Sequence, residues 1–240
     1  MSKKRATLEI IHWAHEALER RWLPEIEQAY NDLRQLIDGL PENMQLYFDD
    51  GDIWEEFAVT GHAHASDIIT IIFNPQEKSP EQTVRELREL IFHEGFHVRQ
   101  GFTYEHGAFS GAESAIYEGC ATVFEQKYAA ATPGYGEYKD IPVQKLNEWY
   151  QALKAIPADT YFEASGETWR KWAFWDDETK EKWRTYKTGA WIVDTVLAAR
   201  KADIRDLRNV PAKQILRWFE IVCTANSKTI EQMHINSLLE

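Results

Sequence analysis

Apolar side chains recur at helical spacing over most of the sequence. Residues 6–38 follow this pattern and predict N-terminal helices, with Pro24 either starting a second helix or kinking the first. Beyond residue 140 the spacing returns and predicts a helical lobe over 140–240. Six tryptophans between residues 149 and 191 are expected to wall this lobe, packed on the helices before it; an aromatic surface for substrate is the alternative.

One stretch of the sequence departs from the helical pattern. Ile68–Phe73 is a run of β-branched and aromatic residues and is the clearest predicted β-strand. Together with Met44–Phe48 it predicts a small sheet over residues 44–74. Because no low-complexity linker or internal repeat divides the chain, we predict a single domain over 1–240 of the α+β class, mainly helical.

Two histidines four residues apart lie inside the next predicted helix, Pro80–Gln100. His93 and His97 fall on one face of this helix, so both imidazoles can reach one point. Glu94 projects beside that point, where it can take a proton from metal-bound water. The H-E-x-x-H pattern therefore predicts a catalytic zinc ion with Glu94 as general base. A pair of hydrogen-bonded core histidines is the alternative.

A catalytic zinc site usually has three protein ligands, so a third is expected downstream. The metzincin pattern would place a histidine at position 103, which is Thr103. The better candidate is Glu118, on a second predicted helix that completes a pair of zinc helices over 80–131. Small residues share its side of the helix and allow a close approach to the first one. Glu113 and His106 are the alternatives.

These motifs resemble those of the gluzincin zinc metallopeptidases, in which a second helix supplies a glutamate ligand. More narrowly, the chain is similar to a bacterial group of predicted Zn-dependent proteases over roughly residues 45–200. The motifs that carry this resemblance are His93–His97, Glu118-Gly119-Cys120-Ala121 and Tyr186–Val193. The resemblance implies a zincin-like fold, with His93, His97 and Glu118 as zinc ligands and Glu94 as base. It also makes Tyr186 a candidate for stabilising the oxyanion of the reaction.

Two features depart from the resemblance. Arg99 puts a charge on a helix that is normally uncharged there. Glu118 is not followed at helical spacing by an acid placed like the one that orients a ligand histidine in the best-known gluzincins, so the group that orients the histidines is unassigned. Zincin folds also place a strand along the edge of the cleft. If Ile68–Phe73 is that edge, a peptide substrate would add to the sheet as a further strand. His62 and His64 precede it, either lining the cleft or as solvated loop residues.

Composition narrows the classes of partner and compartment. The 240 residues carry a net charge of −12, which argues against binding a nucleic-acid backbone. We expect no signal peptide and no membrane span, because the basic start is followed by an amphipathic pattern and no apolar run is long enough. Two cysteines, Cys120 and Cys223, suit a reducing compartment. The sequence therefore predicts a cytoplasmic protein.

Two rival functions are weighed against zinc catalysis. Di-iron carboxylate bundles use E-x-x-H pairs from two helices. Three such strings occur here: Glu9–His12, Glu94–His97 and Glu231–His234. The second rival is a catalytically silent zincin-like module that binds a peptide. Because the base and all three candidate ligands are present, we favour zinc-dependent hydrolysis of peptide bonds, with a peptide or protein as substrate.

Overall fold

The computed structural model describes residues 6–51, 53–103 and 109–238, with residues 226–238 described as backbone only. Over these residues the chain is α+β, as predicted, with a four-stranded mixed sheet and eight α-helices. The zincin-like fold stays a prediction. The elements in chain order are β1 (Thr7–His12), α1 (Glu16–Leu36), β2 (Asn43–Asp49), β3 (Val59–Ala65), β4 (Ile68–Phe73), α2 (Pro80–Gln100), α3 (Gly111–Tyr128), α4 (Val143–Lys154), α5 (Ala158–Tyr161), α6 (Glu167–Ala173), α7 (Arg184–Arg200) and α8 (Ala212–Leu238).

The start of the predicted helix over 6–38 is wrong, because residues 7–12 form strand β1. Leu8 and Ile11 fit a helical spacing, but Leu8 and Ile10 equally fit the two-residue alternation of a strand, and these two are its less exposed residues. Parallel pairing with β2 satisfies the backbone groups that a helix would bond internally. Helix α1 then runs from Glu16 through Pro24 to its end without a second start.

The sheet has the strand order β1-β2-β4-β3, with β3 antiparallel to β4 and the other pairs parallel. Strand β4 is therefore paired on both sides, and the condition that Ile68–Phe73 is the edge is not met; β1 and β3 are the edges of the sheet. His62 and His64, expected in a loop, lie on β3. Alternate residues of β2 and β4 fill the buried face of the sheet: Met44, Leu46, Phe48, Ile69, Ile71 and Phe73.

The chain groups into two compact units. The first comprises Met1–Gly107 and Phe124–Pro133, and the second comprises Ala108–Val123 and Gly134–Glu240. Helix α3 is continuous through the change from one unit to the other at Phe124. The single-domain organisation stays a prediction. Within the described residues, no helix combines the length and the apolar character that a membrane crossing requires.

In the first unit, helices α1 and α2 pack closely at Gly95, the third residue of the H-E-x-x-H motif. A Cβ at Gly95 would overlap the side chain of Leu33 on α1, so glycine sets this close approach. Near the end of α2, Arg99 Nε donates to the Asp38 carbonyl at 2.6 Å. The charge at position 99 therefore ties down the backbone that follows α1, which accounts for this departure from the resemblance.

In the second unit, the closest helix packing is between α3 and α7. A Cβ at Gly119 would overlap the backbone of Gly189, and a Cβ at Gly189 would overlap the backbone of Ala115. The small residues of α3 predict a close approach to another helix, and within this unit that helix is α7. Aromatic residues of the predicted lobe complete the cluster, which contains Ala115, Leu153, Ile156, Tyr161, Trp169 and Trp172.

Candidate metal centre

The helix that carries the H-E-x-x-H motif has the predicted bounds, Pro80–Gln100. Its start is capped by the Ser79 side chain, which accepts a backbone N–H of the first turn. Its end is capped by Gly101, whose φ of 72° lies in the left-handed region. Three polar residues are buried in its C-terminal half: His93, Glu94 and His97.

The imidazoles of His93 and His97 meet at one point. Their Nε2 atoms are 3.0 Å apart, and the ring planes cross at 81°. Two nitrogens that bind a tetrahedral zinc ion at about 2.0–2.1 Å lie about 3.3 Å from each other. The observed spacing is therefore close to that of two ligands of one ion.

Glu118 on α3 adds a carboxylate to the two histidines. One ligand atom from each of His93, His97 and Glu118 lies within 4.8 Å of the others. Two imidazoles and a carboxylate are a known ligand set for catalytic zinc, which keeps a fourth position open. The residues therefore fit a zinc ion, and they form the candidate metal centre of the described chain.

Glu113, one alternative to Glu118, has hydrogen-bond and ion-pair partners of its own. Glu113 Oε2 accepts hydrogen bonds from the backbone N–H and the hydroxyl of Ser110, at 3.1 and 2.7 Å, and thus caps the start of α3. Its other oxygen is 3.6 Å from Lys213 Nζ. These contacts give Glu113 a structural role. His106 lies outside the described residues.

Glu125 holds His93 from the side opposite the candidate metal position. His93 Nδ1 donates to Glu125 Oε2 at 2.7 Å, and the Glu125 side chain is fully buried. Because an ionised carboxylate only accepts, this bond favours the ring proton on Nδ1 and leaves Nε2 as the nitrogen that could bind a metal ion. Glu125 is therefore the orienting acid that the sequence left unassigned. It comes seven residues after Glu118, two turns along α3, and this helical spacing is the sequence signal that could have identified it.

A second acid lies behind His93, one turn earlier on α2. Burial raises the pKa of Glu89 to about 7, and repulsion by Glu125 adds to the shift. Arg85 opposes the shift, with its Nε 3.7 Å from a Glu89 oxygen. Two carboxylates thus share a poorly solvated space next to the candidate centre.

Glu94 reaches the edge strand of the sheet. The Ala63 N–H on β3 donates to Glu94 Oε2 at 2.8 Å, and both residues are buried. Eight residues earlier on α2, Glu86 Oε2 accepts the Ala58 N–H at 2.6 Å. Helix α2 is therefore bonded at two points, to the edge strand β3 through the predicted base and to the residue before β3 through Glu86.

Comparison with known families adds to this geometry. The family described as Predicted Zn-dependent protease (DUF2268) matches residues 24–217. The chain belongs to this family. The match spans the motifs at His93, Glu118 and Tyr186, and it confirms the resemblance to predicted Zn-dependent proteases. No curated protein and no solved structure matches the chain.

The third motif of this DUF2268 family member lies on α7, where Tyr186 is half-buried. Its ring packs edge-on against Tyr135 with the centroids 5.1 Å apart, and against Trp183 at 6.2 Å. These aromatic contacts orient the Tyr186 side chain. Its role towards an oxyanion stays a prediction.

Among the other histidines of this DUF2268 family member, His12, His62 and His64 lie on strands of the sheet. The string Glu9–His12 is on strand β1 and not on a helix, so it cannot act as the helical pair of a di-iron bundle. The string Glu231–His234 is described as backbone only. On β3 the rings of His62 and His64 are 5.8 Å apart, and burial, followed by repulsion from His64, lowers the pKa of His62.

Proposed function

We propose that this protein hydrolyses peptide bonds with a zinc ion bound by His93, His97 and Glu118. The observation that supports the proposal most is the convergence of these three ligand atoms within 4.8 Å, with His93 oriented by a buried carboxylate. Membership of a family described as predicted Zn-dependent proteases supports the same activity.

Each side chain at the candidate centre then has its own role in the reaction. Bound at this centre, zinc supplies a Lewis acid and a water molecule of lowered pKa. Glu94, adjacent to the first histidine, is the base that takes the proton of that water and delivers it to the leaving amine. Glu125 keeps the His93 ring in its ligand orientation.

We assign stabilisation of the developing oxyanion to Tyr186. In the second unit, α7 meets α3 at Gly189 and Gly119, so Tyr186 is one turn from this contact and Glu118 is next to it in sequence. A phenol hydroxyl is a suitable donor to an oxyanion. The aromatic contacts of the Tyr186 ring would hold that donor in place.

The proposed substrate is a peptide or protein segment in extended conformation. Strand β3 is an edge of the sheet and contacts the predicted base through Ala63, so a peptide added alongside β3 would run past Glu94. The net charge of −12 disfavours a nucleic-acid substrate.

We propose a cytoplasmic location because Cys120 and Cys223, the two cysteines of the chain, are not joined by a disulfide in the described structure.

The first test is the metal content of the purified protein. We expect about one zinc per chain by elemental analysis, lost or weakened in His97→Ala and Glu118→Gln. Glu113→Gln is the matched control on the same helix and should keep its zinc. Removal of the metal by a chelator should abolish cleavage of a peptide library, and about one equivalent of zinc should restore it.

A second variant separates catalysis from binding alone. Glu94→Gln should retain zinc and lose peptide hydrolysis, because the amide cannot accept the proton. Full activity in this variant contradicts the base assignment, and zinc without activity in the unaltered protein favours a silent peptide-binding module. Two irons per chain would support the di-iron alternative, and a protein without metal in every preparation would refute the proposal.

A further inference from the structure

One backbone N–H of strand β3 donates a hydrogen bond to the predicted base. Ala63 lies opposite Ile69 of β4 in the antiparallel register, yet its N–H donates to Glu94 Oε2 at 2.8 Å. In an antiparallel pair, alternate residues direct their N–H groups away from the partner strand. On the edge strand β3, such an amide faces outward, where solvent or an added peptide would otherwise satisfy it.

The neighbouring amide–carboxylate bond joins the same helix to the residue just before β3, and it has a different setting. Glu86 accepts the Ala58 N–H at 2.6 Å, while its other oxygen accepts from Gln82 Nε2 at 2.9 Å and lies 3.3 Å from Arg85 Nη2. Glu86 is seven residues from His93 and belongs to a network of α2 side chains. Glu94 is the residue next to His93, so its bond to the strand bears on the candidate centre directly.

A carboxylate that acts as base must be held in one orientation, because proton transfer requires hydrogen-bond geometry at the moment of reaction. The Glu94 side chain has three rotatable bonds, and the Ala63 N–H fixes the end of it. We propose that the backbone amide of Ala63 is a positioning group for the base: it ties Oε2 of Glu94 to the edge strand and so fixes the orientation of the carboxylate.

This inference rests on the proposed function of Glu94, and it has a consequence for substrate. The Ala63 N–H is committed to Glu94, so a peptide that adds to β3 takes its hydrogen bonds from other outward groups of the strand. Loss of the Ala63 N–H should therefore impair the chemical step and leave the binding of peptide nearly unchanged.

The hydrogen bond itself is tested without activity or metal. Amide hydrogen exchange is measured by NMR after a chelator has removed any metal. At Ala63 it should be at least about tenfold faster in Glu94→Ala than in the unaltered chain. Exchange at Ala58 should not change. In the matched control Glu86→Ala the result should reverse, with Ala58 faster and Ala63 unchanged. Equal Ala63 exchange in the unaltered chain and in Glu94→Ala would overturn the proposal.

The positioning role is tested by a pair of proline variants. Ala63→Pro and Ala58→Pro each remove one outward N–H of an edge segment, a position where proline is tolerated in sheets. We expect Ala63→Pro to lower kcat roughly 10- to 100-fold with KM within about twofold and zinc content unchanged. Ala58→Pro should keep kcat. An ester in place of the His62–Ala63 peptide bond removes the same donor without the proline ring and should repeat the effect.

The outcomes are distinct from those that test the proposed function. Unchanged kcat in both the Ala63→Pro and ester variants would overturn the positioning role, and a rise in KM alone would show that substrate uses the Ala63 N–H. Failure of the peptidase assignment would instead show as full activity of Glu94→Gln. The exchange experiment tests whether the Ala63 N–H donates to Glu94, and its result does not depend on whether the protein is a peptidase.

Discussion

At the scale of single residues, the convergence of Glu118 on the two histidines distinguishes a candidate ligand site from a pair of hydrogen-bonded core histidines. A hydrogen bond between two core histidines would also place their Nε2 atoms 3.0 Å apart, but it gives no reason for a carboxylate within 4.8 Å of both. His93 Nδ1 is bonded to the buried Glu125 carboxylate, which orients the His93 ring towards that point.

Replacement of Glu125 should therefore weaken metal binding without removal of any ligand. We expect Glu125→Ala to raise the zinc dissociation constant about 10- to 100-fold, because the His93 ring loses the acceptor that sets its orientation. Glu125→Gln keeps an acceptor oxygen and should recover part of the affinity. Competition with a chromophoric chelator measures the constant.

The control for this prediction is Gln126→Ala, one residue along the same helix and less buried. Zinc affinity should be unaltered in that variant. If Glu125→Ala binds zinc as tightly as the unaltered protein, the ring is oriented by other contacts and Glu125 serves only the packing of α3.

At the scale of elements, the position of Glu118 depends on how closely α3 packs against α7. Gly119 is the next residue, and the backbone of Gly189 occupies the space that its Cβ would take. Alanine has a higher helix propensity than glycine, so an alanine here would favour the helix while it forces the two backbones apart. The balance should be unfavourable, because backbone cannot move aside as the end of a side chain can.

Gly119→Ala is therefore expected to lower the free energy of unfolding by about 1–3 kcal/mol, the usual cost of overpacking. Denaturant titration gives this value. Gly134→Ala is the matched control, since no atom lies within 4 Å of the Cβ that it would add, and it should change stability by less than about 0.5 kcal/mol. Equal stability of the two variants would mean that α3 and α7 can separate at no cost.

The elements also show which features local sequence could predict. Helix α2 has its cap, its apolar spacing and its histidines within 22 residues, Ser79–Gln100, so its bounds and its motif were both predictable. Strand β1 has only six residues, and over such a length helical and strand periodicities fit equally well. The edge position of β3 depends on pairing between β2 and β4, which no local pattern encodes.

Local sequence likewise predicts only part of the candidate site. His93, Glu94 and His97 are close in sequence, and their geometry follows from one turn of helix. Glu125 acts on His93 across 32 residues, and the Ala63 amide acts on Glu94 across 31. An acid seven residues after Glu118 was visible in the sequence, but a backbone N–H carries no residue-specific signal, so only the fold could reveal Ala63.

At the scale of the whole molecule, stability should depend on pH through the acids buried next to the candidate centre. Burial and the repulsion from Glu125 raise the pKa of Glu89 from 4.5 to about 7. A raised carboxyl pKa means that the folded state binds a proton more tightly than the unfolded state. Folding is therefore favoured below the unfolded value and loses stability as the pH rises from about 4.5 to 7.

Glu89→Gln should remove this dependence, because the amide is neutral at every pH. In the metal-free protein we expect the variant to match the unaltered chain near pH 4.5 and to exceed it above pH 7 by up to about 3 kcal/mol, since each pKa unit corresponds to about 1.4 kcal/mol. Denaturant titrations from pH 4.5 to 8 measure the difference. Glu25→Gln, an exposed acid on α1, is the control and should show a small difference that does not grow with pH. A constant gap between Glu89→Gln and the unaltered chain would mean that the pKa of Glu89 is the same in the folded and unfolded states, and that the acids behind His93 are better solvated than their burial implies.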